Sequence, residues 1–249
     1  MRVLHDIVSA VRLLTVLPLR GGMDGRPVRW LPAVGWLYGG AALGMAATAR
    51  SLGATTGPAG LLVAALVVAA WGLLSGFLHW DGLADVADGM GARGGVESRL
   101  AVMRDSATGA FGVAAVTIVA LVQTAALACV LASGEWWGLV AAPVLGRFAA
   151  AAELIQNRPA RPDGLAARLA GPESAVGVAV IAASLVPLVA FPAVHARFVA
   201  AVAGVAAGQV IPLPIVRRLG GTTGDVLGAT VVLTETAVLV WCALAAGGV

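Results

Sequence analysis

Residues 57–91 read GPAGLLVAALVVAAWGLLSGFLHWDGLADVADGMG. Positions 57–78 hold no charge and are long enough to cross the hydrocarbon core of a bilayer as a helix. The remainder introduces Asp81, Asp85 and Asp88 at i, i+4 and i+7, so a helix places all three carboxylates on one face. Like charges so arranged repel, and are tolerable when something cationic sits among them. An apolar span running straight into an acidic face predicts carboxylates delivered to a hard divalent cation. Mg2+ together with a substrate pyrophosphate is the chemistry that fits.

The rest of the chain has the same character. Of its 249 residues 59% are hydrophobic and only 12% charged, about half the charged share of a soluble domain. The fold class predicted is all-α: one polytopic integral membrane domain over 1–249, with the lipid bilayer as its solvent. Seven spans are expected, at 30–49, 57–78, 111–131, 137–155, 175–191, 198–215 and 226–246. Pro187 and Pro192 shorten the fifth, and Pro212 and Pro214 end or kink the sixth. Ahead of them, residues 1–17 put Val3, Leu4, Ile7, Val8, Val11, Leu14 and Leu17 largely on one face. This predicts an amphipathic helix, ended by Pro18 and followed by a polar loop through Arg29. His5, Asp6 and Arg12 interrupt the N-terminal run, which does not read as a cleavable signal peptide. Between the spans, the 79–109 stretch is expected as a cytoplasmic acidic loop helix.

Charge asymmetry predicts the topology. All sixteen basic residues are arginine, and thirteen fall in the N-terminal stretch and the 79–109, 157–174 and 216–225 loops. The opposite loops hold Arg50 and Arg197, and Arg147 lies within the fourth span. By the positive-inside rule the N-terminus and the arginine-rich loops are expected in the cytoplasm and the C-terminus outside, with the chemistry facing the cytoplasm. Scattered flanking arginines are not a nucleic-acid footprint. Cys129 and Cys242 fall inside apolar segments and read as small buried hydrophobes. Trp136, Trp137 and the small residues Gly35, Gly39, Gly40 and Gly44 permit close helix packing within the chain or in a homo-oligomer.

Around the acidic face stand residues suited to phosphate. Gly82, Gly89, Gly91, Gly94 and Gly95 weaken the helix and permit close backbone approach. Arg104, Asp105 and Ser106 precede the third span. Asp105 reads either as a further metal ligand or as the partner that orients Arg104. Gly220-Gly221-Thr222-Thr223-Gly224-Asp225 opens the last span as a potential anion-binding turn, with Asp225 either a site carboxylate or the helix cap. Arg147 and Glu153 in the fourth span and Glu235 in the seventh lie at depths that face a bundle interior or a wet cavity. Arg147 either reaches a substrate phosphate or neutralises Glu235. Arg158, Arg161 and Arg168 flank Gly164 in a basic loop. His79 is either a ligand or base, or an interfacial packing residue. No HExxH, CxxC, GxSxG or Rossmann fingerprint is present, so zinc, serine-hydrolase and dinucleotide redox chemistry have no support.

The run Leu78-His79-Trp80-Asp81-Gly82-Leu83-Ala84-Asp85-Val86-Ala87-Asp88-Gly89, then Met103-Arg104-Asp105-Ser106 and Gly109-Ala110-Phe111-Gly112, resembles the cobalamin synthase family. These are the adenosylcobinamide-GDP ribazoletransferases of late vitamin B12 synthesis. Leu14-Thr15-Val16-Leu17-Pro18, Leu31-Pro32-Ala33-Val34-Gly35, Arg147, Arg161-Pro162-Asp163-Gly164-Leu165 and Gly220 to Ala229 are similar in order and spacing. The resemblance implies that the ribazole 5'-hydroxyl attacks the pyrophosphate of adenosylcobinamide-GDP and releases GMP. The acceptor would be alpha-ribazole or its 5'-phosphate, and the cofactor Mg2+. It implies Asp81, Asp85 and Asp88 as metal ligands, and Asp105 and Asp225 as further ligands or a base. Arg104, Arg147 and Arg161 become phosphate clamps. His79, Ser106, Gly221, Thr222, Thr223, Gly224 and Glu235 complete the substrate-binding set. The chain departs from the family at Val232, where a glutamate is common, and at Trp80, where a leucine is.

Two other readings compete. A CDP-alcohol phosphotransferase also builds a metal site from helical aspartates, but its signature needs AR after DG, and Leu83-Ala84-Asp85 stands there. An ion-coupled transporter would place its acids at mid-membrane in paired repeats, whereas these cluster at one surface and no repeat is visible.

Overall fold

The structure, a computed structural model, describes residues 2–20, 25–189 and 194–246. The helices are α1 (Arg2–Leu14), α2 (Leu31–Ser51, entered through a 3-10 turn at Pro27–Trp30), α3 (Gly57–Leu74), α4 (Leu78–Gly91), α5 (Val96–Val102), α6 (Ala110–Ser133) and α7 (Trp137–Gln156). They continue as α8 (Leu165–Leu169), α9 (Ala175–Ala183), α10 (Val186–Val189), α11 (Val194–Val210), α12 (Leu213–Leu219) and α13 (Gly224–Ala246). Among the described residues there is no strand beyond a single parallel bridge between Pro159 and Thr222.

The all-helical membrane architecture holds. Five segments among the described residues are long and apolar enough to cross a bilayer: Gly57–Leu74, Ala110–Ser133, Trp137–Gln156, Val202–Leu219 and Gly224–Ala246. The two remaining expected spans differ from these. α2 is long enough at 21 residues, but glycines, Pro32, Trp36 and Tyr38 dilute its apolar character. The segment from 175 is broken into α9 and α10 at Ser184 and Leu185. Its expected end at Phe191, and Pro192, lie outside the described residues. α11 stops at Val210 and α12 starts at Leu213 with Pro212 as its cap, the break anticipated from the two prolines. Arg197, expected in an outer loop, falls within α11.

α7 and α13 form the centre. α7 packs on α2, α13 and α11, and α13 on α4 and α6 as well. The spanning window of α7 is 83% buried and that of α6 only 22%. α6 accordingly turns Phe111, Val113, Ile118 and Leu121 outward, and α3 does the same with Leu61, Leu62, Leu66 and Leu73. In water so large an apolar surface would be a liability, whereas hydrocarbon tails cover it without cost. Cys129 lies on this exposed side of α6 and Cys242 is half-buried, so the expectation that both are buried fails. A lipid-facing helix has no need to hide a small apolar side chain. Gly35 and Gly39 serve packing inside the chain: a Cβ at either would stand 2.6 or 2.8 Å from the α7 backbone at Val144 and Val140.

α1 ends at Leu14 rather than 17. Tyr38 donates its hydroxyl to the Leu14 carbonyl, and the Val16 N–H donates to the Leu74 carbonyl at 2.8 Å, drawing the chain away from the helical path. Pro27 and Val28 of the expected polar loop are buried under α1. α3 ends at Leu74, before the expected 78, because Gly76 (φ 60°) and Phe77 (φ 58°) are left-handed. For phenylalanine this costs about 1–2 kcal/mol. Its ring is seated against Gly72, where a Cβ would come within 2.6 Å of it. The turn redirects the chain so that the acidic helix α4 lies across the start of α13.

Candidate active site

α4 and α13 meet through two glycines. A Cβ on Gly82 would stand 2.6 Å from the Asp225 carbonyl oxygen, and one on Gly228 would stand 3.2 Å from the His79 Cα. Any side chain at these positions would hold the helices apart, so Gly82 and Gly228 bring Asp81 and Asp85 to Asp225. The C-terminal end of α4 is fixed by Arg99, which donates to the carbonyls of Gly89 and Met90 at 3.0 and 2.8 Å.

The 220–225 turn is fastened to the basic loop. Thr222 donates its N–H to the Arg158 carbonyl at 2.9 Å, and Ala160 donates to the Thr222 carbonyl at 2.7 Å. A Cβ on Gly221 would strike the Arg158 carbonyl at 2.5 Å. Gly220, at φ 74°, ends α12. The Thr223 hydroxyl accepts from the Val226 N–H at 3.2 Å and is the cap of α13, the part considered for Asp225. Thr222 turns its hydroxyl inward to the buried Glu153 carboxylate, which also accepts from Thr230 at 2.6 Å. Glu153 was legible as a costly buried charge, but its two threonine partners were not.

His79, Asp81, Arg147, Arg161, Thr222, Thr223, Gly224 and Asp225 line one cavity of about 150 Å³, together with residues of α1, α2, α7 and α8. Arg161 brings its guanidinium to 3.9 Å from Asp225 and donates to the Leu100 carbonyl at 3.1 Å. His79 is buried and its Nε2 has no hydrogen-bond partner. Burial, and secondly the charge of Arg147, hold its imidazole well below the usual titration range, so it is neutral. Asp85, one turn beyond Asp81, is pushed up to about 7 by burial and by the negative charges of Asp225, Asp81 and Asp88, with Arg161 opposing.

Arg147 makes the Glu235 pairing considered for it and also lines the cavity. It is buried, ion-paired with Glu235, donates to the Pro143 carbonyl at 3.2 Å and lies 3.8 Å from the centre of the Tyr38 ring. Glu235 stands behind it, away from the cavity lining. Asp88 is drawn off the cluster: its carboxylate accepts the N–H groups of Gly109 at 2.7 Å and Gly112 at 2.9 Å, covering the start of α6. Arg104 pairs with Asp163 at 3.4 Å on the surface. Asp105 accepts from the Ala107 N–H at 3.0 Å, and Ser106 is exposed. These three are not brought to the cavity.

For a divalent cation the donor set is suitable but incomplete. Among the described residues no group of three or more His, Cys, Asp or Glu side chains forms a cage for a metal. Asp81, Asp85 and Asp225 offer hard oxygen donors and the uncompensated charge evident at Asp85. This matches the way Mg2+ is held by one or two carboxylates, with substrate phosphates and water completing its shell.

No solved structure matches the chain. Adenosylcobinamide-GDP ribazoletransferase of Pseudomonas aeruginosa is 38% identical over 97% of this chain and 98% of its own length. The enzymes of the same name from Sinorhizobium medicae and Corynebacterium efficiens are 38% and 33% identical, covering 96% and 98% of this chain and 96% and 93% of their own. With the model of the cobalamin-5-phosphate synthase family matching residues 6–243, and with relatives aligned over almost their whole length, this chain belongs to that family.

Proposed function

We infer that the protein is an adenosylcobinamide-GDP ribazoletransferase, joining adenosylcobinamide-GDP to alpha-ribazole or its 5'-phosphate with release of GMP. The convergence of Asp81, Arg147, Arg161, Thr223 and Asp225 on one cavity, from four separate stretches of chain, is the observation that carries this reading. A ribose hydroxyl attacks the cobinamide-side phosphorus, the bond from that phosphorus to the GMP oxygen breaks, and the hydroxyl proton passes to Asp225. An acceptor that keeps its 5'-phosphate has no free 5'-hydroxyl. The nucleophile common to both acceptors is therefore a secondary ribose hydroxyl, which replaces the 5'-hydroxyl expected above.

Asp81 and Asp85 are the residues we assign to Mg2+, with Asp225 left to take the hydroxyl proton and Asp88 holding the start of α6. When bound, the ion would neutralise the pyrophosphate oxygens. Arg161 positions the phosphates beside Asp225, and the 220–225 turn supplies backbone N–H groups at the start of α13. Arg147, oriented by Glu235, lines the same cavity and offers its remaining guanidinium N–H groups to the phosphates.

The orientation proposed is N-terminus in, C-terminus out, with seven crossings. Leu14, Leu31, Asp81, Arg161 and Asp225 meet at the cavity, so the four arginine-rich stretches share one end of the bundle. α2 starts at that end and α3 returns to it. Glu173, just before α9, pairs with Arg29 at 3.0 Å near the same end. The Trp137 indole, at the far end of α7, donates to the Leu188 carbonyl at 3.1 Å. The α9–α10 segment therefore also traverses the bundle. α1 lies along the cytoplasmic membrane surface.

The test is GMP release by detergent-purified protein given adenosylcobinamide-GDP and alpha-ribazole, with Mg2+ or with EDTA. Formation that requires both ribazole and Mg2+ is expected, and Asp81→Asn or Asp85→Asn should abolish it in protein that still inserts. Near-normal turnover in both variants would remove the metal assignment.

A further inference from the structure

Tyr38 is the chain's single tyrosine, fully buried in α2, and does not itself line the cavity. Its place is fixed by bonds at both ends of the residue. Its carbonyl accepts from the Trp71 indole N–H at 3.0 Å, and its hydroxyl donates to the Leu14 carbonyl. Gly35 and Gly39 flank it on α2 and bring that helix onto the α7 backbone at Val144 and Val140. Arg147 follows Val144 by one turn of α7. Its guanidinium carbon stands 3.8 Å from the centre of the Tyr38 ring, over its face.

This ring contact supplies what the ion pair alone does not. Arg147 is held at one nitrogen: Nη1 donates both to the Glu235 carboxylate and to the Pro143 carbonyl, the latter at 3.2 Å. A planar fork held at one nitrogen can still turn about it, which swings its other N–H groups towards or away from the cavity. An aromatic face lying against the guanidinium removes that freedom, and the attraction is strong because both groups are buried. The Nε of Arg147 is buried and has no acceptor, so a residue that lines the cavity keeps a donor unspent. An aliphatic side chain at position 38 would fill the same space without setting the plane.

We propose that Tyr38 is a positioning residue for the transfer, its ring setting the plane of the Arg147 guanidinium so that the remaining N–H groups meet the substrate's phosphates. Through its hydroxyl the same side chain ties Leu14, a lining residue from α1, to this arrangement. The proposal rests on the transferase reading given above, which puts phosphates in this cavity.

Tyr38→Leu and Tyr38→Phe separate the ring from the hydroxyl. The readouts are kcat from GMP release and the Kd of inorganic pyrophosphate, measured with Mg2+ by equilibrium dialysis. Tyr38→Leu should weaken pyrophosphate binding about fivefold or more and lower kcat about tenfold. Tyr38→Phe should bring both back to within about twofold of wild type, while melting lower because the Leu14 carbonyl loses its partner. Tyr38→Met, closer in length, replaces Tyr38→Leu if the latter does not fold. In a background of Arg147→Met with Glu235→Leu the guanidinium is gone, and Tyr38→Leu should then change pyrophosphate binding by less than about twofold. An equal loss in Tyr38→Phe and Tyr38→Leu, no loss in Tyr38→Leu, an undiminished loss in that background, or no pyrophosphate binding by wild-type protein overturns the proposal. Dialysis requires no turnover. If wild-type protein and variants bind pyrophosphate in the expected pattern but wild type releases no GMP, the transferase reading falls and the positioning of Arg147 by Tyr38 stands.

Discussion

Gly82 of α4 lies directly on the backbone of Asp225, so close that a Cβ at position 82 would stand 2.6 Å from the Asp225 carbonyl oxygen and 3.0 Å from its Cα. The contact is backbone against backbone, and no side chain can swing aside to make room. Gly82→Ala should therefore cost about 1–3 kcal/mol in overpacking. It should also lower GMP release more than tenfold, by moving Asp81 and Asp85 away from Asp225. Melting in detergent and turnover on the same sample check it. Wild-type turnover would mean that the carboxylates need not assemble across this crossing.

Asp88 separates a capping carboxylate from a metal-binding one. Its oxygens accept the N–H groups of Gly109 and Gly112. Asp88→Ala should cost about 1 kcal/mol of stability, the ordinary worth of a helix cap, and leave the Mg2+ concentration for half-maximal turnover unchanged. Titrating Mg2+ against this variant decides the matter, since a raised requirement would return Asp88 to the metal set.

The raised carboxyl of Asp85 gives stability a pH dependence of definite sign. The group ordinarily titrates at 3.8 and in the folded protein at about 7, so between these values the native state keeps a proton that the unfolded chain has lost. Stability then falls as pH rises through that window. Metal-free protein should melt lower at pH 8 than at pH 5, and Asp85→Asn should flatten that slope. Parallel slopes in wild type and variant would show that Asp85 does not carry the effect.

The Arg147–Glu235 pair is buried on both sides, so removing one partner strands a charge. Glu235→Gln should destabilise the protein by about 3 kcal/mol. Combining Arg147→Met with Glu235→Leu should restore much of the melting temperature without restoring turnover, because Arg147 also lines the cavity. Recovery of both properties would make the pair purely structural.

The class of protein was legible from local composition, because a bilayer demands about twenty uncharged residues for each crossing and the chain supplies such runs repeatedly. The acidic face of α4 was legible in the same way, since the spacing of Asp81, Asp85 and Asp88 is a property of one helix. Breaks at Pro212 and Pro214 followed from a missing N–H, and the break at Ser184 and Leu185 lies where Pro187 withholds the N–H that would bond to the Ala183 carbonyl.

By itself, then, the sequence determined a helical membrane protein with three carboxylates on one helix face, and motifs specific enough to identify its family. Only the tertiary structure decided which of those groups meet. It gave Asp88 to the start of α6, Thr222 to Glu153 and Arg147 to Glu235, left Arg104, Asp105 and Ser106 outside, and brought leucines of α1 and α8 to the cavity. The physical reason lies in contacts such as Gly82 on Asp225, which join residues more than a hundred positions apart. Helical periodicity specifies the face a side chain occupies, and close packing between distant helices selects what that face touches.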